Sequence, residues 1–145
     1  MTHRQWLATV PSAIKGDALW KLSAYRQALF LEDIGWHDAT KLMRDRRTRD
    51  LSGQLYEALA SIPGNIAEGY SRSTGKDRAR FYEYANGSAR EARTHYYGGR
   101  HILGDDVAFH RIELITDVIR LLTTMIPQQR ALPRLAKRDG RTLLP

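Results

Sequence analysis

Two lines of polar side chains and one cluster of basic ones stand mid-chain at spacings that bear on chemistry. Ser61, Asn65 and Glu68 fall at i, i+4 and i+7, one line along a helix. Ser88, Glu91 and His95 fall at i, i+3 and i+7 on the next helical stretch. If the stretches run antiparallel, the lines can face each other and gather two carboxylates, an amide and an imidazole. Such a set builds either a pocket for a small ligand or a reaction, or a hydrogen-bonded network that fixes the register of helices or subunits. The network is the expectation, because no nucleophile is spaced with a base and an orienting group. No catalytic residue is assigned, and the chain is expected not to be an enzyme.

The basic cluster is Arg72, Lys76, Arg78 and Arg80, around a turn between two helices. Cations so grouped suit a phosphate backbone, and Tyr70, Tyr82 and Trp36 are the aromatics that can stack on bases. The competing reading is a solvated charged surface. A metal site fails the spacing test. Glu91 and His95 stand at i, i+4 with His101 and His110 further on, but there is no Glu-x-x-His, which di-iron bundles use in pairs. No metal or cofactor is expected. Gly98, Gly99 and Gly104 match no phosphate-cradling loop.

The elements that must position these groups are helical. Ala18, Leu22, Tyr25 and Leu29 recur at helical steps, with Gly35 as an expected stop. Residues 36–50 read as a loop or as an extension of either neighbouring helix. Leu51, Leu55, Ala58, Ile62 and Ile66 mark a second helix, with Pro63 inside it. Thr74 followed by Asp77 is a capping signal for a third helix, striped by Phe81, Tyr84, Ser88, Ala92 and His95. Ala108, Ile112, Ile115, Ile119, Leu122 and Ile126 mark a fourth, with Pro127 as its expected end. A second stripe beside it, Leu114, Val118, Leu121 and Met125, implies a second buried surface and hence a homo-oligomer. The expectation is therefore an all-α, antiparallel up-down-up-down four-helix bundle over residues 17–127. An N-terminal arm (1–16) precedes it and a basic tail (128–145) follows.

Bulk composition narrows the class. The chain has 145 residues and no cysteine, which fits one domain in a reducing, cytoplasmic setting. No apolar run approaches the roughly 18 residues of a membrane span. The net charge of +7 favours polyanionic partners, RNA or DNA, or an acidic protein surface.

The central segment resembles a family known as four-helix-bundle or 23S rRNA intervening-sequence proteins, which is related to accessory proteins of diversity-generating retroelements. Gln54 carries the resemblance, with Ser61-Ile62-Pro63-x-Asn65-Ile66-Ala67-Glu68-Gly69, Arg80-Phe81, Ala85-x-Gly87-Ser88-x-x-Glu91 and Trp20. It covers about residues 17–126. It implies four antiparallel helices assembled as a homopentameric ring. The intervening-sequence members are encoded within insertions in 23S rRNA genes; the retroelement members bind a reverse transcriptase and contact nucleic acid.

Overall fold

The computed structural model describes residues 1–133, and every regular element among them is helical. Four long helices dominate: Ser23–Met43 (α3), Arg49–Tyr70 (α4), Gly75–Gly98 (α5) and Asp105–Arg130 (α7). Three short ones accompany them: His3–Leu7 (α1), Ser12–Lys15 (α2) and Arg100–Leu103 (α6), with a 3-10 turn at Ala18–Lys21. The long helices pack in a closed cycle, α3 on α4, α4 on α5, α5 on α7 and α7 on α3. Their shared interior holds Leu31, Leu42, Leu55, Leu59, Ile62, Ile66, Tyr82, Tyr96, Ile115 and Leu122, all out of contact with solvent. Burial of this apolar surface, at roughly 25 cal/mol per Å², is what holds the helices together.

Several expectations are corrected. Residues 1–16, expected as an arm without periodicity, hold the short helices α1 and α2. Thr2 and Gln5 form a reciprocal capping box on α1, and Trp6 is buried against Trp20 and Phe30 while its indole donates to Asp33 at 2.6 Å. Gly35 does not stop α3. A Cβ at that position would collide with Leu59, so this glycine marks a close helix approach. Residues 36–43 continue α3, and only 44–48 form the connection to α4. The buried line of α5 is Tyr82, Ala85, Ala89, Ala92 and Tyr96, whereas Tyr84 is exposed. Alanines on that line let the neighbouring helices close in.

Pro127 does not end α7, which runs on to Arg130. In the last turn a proline removes only one backbone donor, the one that would serve the Thr123 carbonyl. The Pro127 carbonyl still accepts from the Ala131 amide at 3.0 Å. The expected basic tail therefore begins as helix. Its residues 134–145, with Arg134, Lys137, Arg138 and Arg141, lie outside the described residues. No helix among the described residues is long and apolar enough to cross a membrane.

Candidate nucleic-acid interface and the polar seam

The polar lines on α4 and α5 meet only in part. The hydroxyls of Ser61 and Ser88 are hydrogen-bonded at 2.8 Å across the two helices. The Asn65 amide donates to the Ser61 carbonyl and hydroxyl, each at 2.9 Å. Beside this knot lies a depression of about 200 Å³ lined by Gln54, Glu57, Ala58, Ser61, Ser88 and Glu91. His95 sits 3.4 Å from Glu91, on the same helix. Glu68 is elsewhere: it is exposed and accepts from Arg72 at 2.8 Å. Among the described residues neither serine hydroxyl is hydrogen-bonded to a histidine or a carboxylate. Among the described residues no three histidine or carboxylate groups come close enough to hold a metal ion.

The basic turn is more ordered than its composition suggests. After α4, the Ser71 hydroxyl donates to the Ala67 carbonyl at 2.9 Å, and the Thr74 hydroxyl caps α5 by accepting from the Asp77 amide at 3.1 Å. Two guanidinium groups lie on one aromatic ring, Arg72 at 4.7 Å and Arg80 at 4.9 Å from the centre of Phe81. Each also has an acidic neighbour three or four residues away, Glu68 for Arg72 and Asp77, at 3.6 Å, for Arg80. Both pairs are solvent-exposed, so each contributes about 0–1 kcal/mol and exchanges readily. Lys76 is exposed on the first turn of α5. Arg78 differs from the rest. It is half-buried, with its Nε donating to Gln129 at 2.6 Å and a terminal nitrogen donating to the Arg72 carbonyl at 2.8 Å. It clamps the turn to the end of α7.

That clamp creates a cleft. Leu22, Tyr70, Arg78, Tyr82, Met125, Gln128, Gln129 and Leu132 surround about 490 Å³ where the turn meets the last turn of α7. Gly75 makes the meeting possible, because a Cβ there would run into the Gln129 carbonyl. Burial raises the Tyr82 phenol above its ordinary value, while the nearby Arg78 charge opposes that shift.

Two further features lie toward the α3–α4 connection. Arg47 hydrogen-bonds the Asp45 side chain and holds its carboxyl down at about 2, so the pair is neutral as a unit. Lys41, Arg44, Arg46 and Arg49 lie close to it in sequence, all exposed. Inside, Asp38 on α3 is 1% exposed and accepts from the Tyr96 hydroxyl at 2.7 Å and from Arg111 Nε at 2.8 Å. Burial, followed by the Asp38 charge, pushes the Tyr96 phenol well above its ordinary value.

A family model described as 23S rRNA-intervening sequence protein matches residues 21–124. The chain belongs to that family. No curated protein matches the chain. The match takes in the polar seam and the basic turn, but it stops before Met125, Gln128, Gln129 and Leu132. Gln128, Gln129 and Leu132 as cleft residues, and the burial of Trp6, were not foreseen from sequence; Met125 was expected only in a second apolar stripe. The apolar spacing of α7 stops at Ile126, just before Pro127, so no local signal carried the helix on to Arg130. Nothing local marks Asp38, whose partners lie 58 and 73 residues away.

Proposed function

We propose that this protein is a non-enzymatic, antiparallel up-down-up-down four-helix bundle that assembles as a homo-oligomeric ring and binds nucleic acid through the α4–α5 turn. The observation that carries the binding is the stacking of Arg72 and Arg80 on Phe81 beside the exposed Lys76. Guanidinium groups held on a ring have less freedom to lose when they engage phosphate, and each keeps N–H groups for bidentate contact. Phosphate can replace the exposed Glu68 and Asp77 carboxylates at little cost. A ring would repeat the turn by symmetry and multiply a weak contact into avidity.

Assembly is supported by the outer seam of α3 and α4. Trp36 is 59% exposed and Met43 55%, and with Tyr56 they line an apolar groove of about 280 Å³. Trp36 meets Tyr56 edge-on at 5.4 Å. The expected second face on α7 is less open, since Leu114, Leu121 and Met125 are half-buried. The non-enzymatic reading is supported by the seam, where Ser61, Asn65 and Ser88 bond one another rather than a base.

The test is fluorescence anisotropy with a labelled DNA strand, beside light scattering to follow assembly. Lys76→Glu with Arg80→Glu should weaken binding by on the order of tenfold at low salt without changing the mass of the assembly. Unchanged affinity would remove the turn as the binding site. Trp36→Glu should lower the assembled mass; an unchanged mass would remove the α3–α4 groove from the interface.

A further inference from the structure

We propose that the cleft between the α4–α5 turn and the end of α7 receives an unpaired nucleobase, so that the protein selects single strands over duplex. This rests on the phosphate-binding role of the turn and names what lies between the phosphates. The cleft has about 490 Å³, within the range of ligand pockets and far above the space of one water. Its walls suit a flat ring. Leu22, Met125 and the Tyr70 ring supply apolar surface, and polar groups stand at the edge.

Those polar groups point to the ligand's chemistry. Tyr82 is only 1% exposed as a residue. Tyr82 lines the cleft, and its hydroxyl can donate to an acceptor bound there. Gln129 spends its carbonyl oxygen on Arg78, which leaves its amide nitrogen as a donor. Arg78 spends Nε and one terminal nitrogen, which leaves the other terminal nitrogen. The set is rich in donors and carries a positive charge. It therefore fits the acceptor edge of a base, such as O6 and N7 of guanine, better than an amine or a cation. Lys76, Arg72 and Arg80 lie on the same turn for the flanking phosphates. In a duplex both ring faces are stacked on neighbouring base pairs, so only an unpaired base can enter the cleft.

The experiment compares three fluorescein-labelled DNAs of equal length with the full chain at low salt: a single strand, its duplex, and the same strand with abasic sugars. Wild type should bind the base-bearing strand on the order of tenfold tighter than the abasic one. Two variants should collapse that ratio toward one: Tyr82→Phe, which removes only the hydroxyl, and Leu132→Trp, which fills the cleft from its rim. Equal wild-type affinity for base-bearing and abasic strands would overturn the base site while leaving the phosphate reading standing. A ratio that survives both variants would also overturn it, by placing the base elsewhere. Failure to bind any of the three would overturn the phosphate reading and this inference together.

Discussion

Arg111→Met should be among the most damaging single changes in the protein. Arg111 on α7 and Tyr96 on α5 converge on the Asp38 carboxylate of α3, so one buried charge ties three helices. The side chain of Asp38 is 2% exposed and that of Arg111 is 20%. Removing one partner of a buried pair costs about 3–5 kcal/mol, because the remaining charge stays buried and uncompensated. The partial exposure of Arg111 lets water reach the gap, which argues for the lower end, about 3 kcal/mol. At this chain size each kcal/mol moves the midpoint by about 3–5 °C, so a fall of roughly 10 °C is expected. The assay is thermal unfolding at neutral pH and one fixed chain concentration, since assembly adds its own stabilisation. The control is Asp38→Leu combined with Arg111→Met, which removes both charges and should be more stable than Arg111→Met alone. Wild-type stability in the single variant, or a double variant worse than the single, would refute the account of this cluster.

Other consequences follow from single positions. The phenols of Tyr25, Tyr56, Tyr82 and Tyr96 are all raised by burial, so the folded state holds these protons more tightly than the unfolded chain. Their contribution is complete below about pH 10 and is lost as pH rises beyond it, and Tyr96→Phe should flatten that alkaline fall in urea midpoints. Gly35→Ala should cost about 1–3 kcal/mol because its Cβ meets Leu59. By contrast, Gly53→Ala, with nothing within 4 Å, should gain up to about 1 kcal/mol from helix propensity; denaturant melts of the pair check both signs. Thr74→Ala should remove the cap of α5 and cost about 1 kcal/mol in the same assay.

Where local chemistry decides structure, the sequence was readable. The spacing of Leu55, Ala58, Ile62 and Ile66 marks a face that is indeed buried, and Thr74 caps the helix its position announced. Where a distant contact decides, it was not. Gly35 and Pro127 carry the local signature of helix ends, yet packing against Leu59 and the anchoring of Gln129 by Arg78 carry both helices onward. Trp6 is one apolar residue without a period, so its burial shows no pattern in one dimension. At the polar seam, spacing found Ser61, Asn65 and Ser88, whose partners share two facing helices. It also included Glu68, because spacing fixes a helical line and not the rotamer that turns this carboxylate to Arg72. Among the basic residues it could not separate Arg78, a structural clamp, from Lys76, which is exposed.

The measurement that bears most directly on function is the salt dependence of strand binding. For a single strand, log K should fall with log salt by about 0.7 for each phosphate neutralised. Wild type should show such a slope. Replacing Lys76 and Arg80 with glutamine should make it shallower by about 0.7 for each phosphate that these cations no longer neutralise. An unchanged slope in that variant, or affinity indifferent to salt, would contradict a phosphate site at the α4–α5 turn.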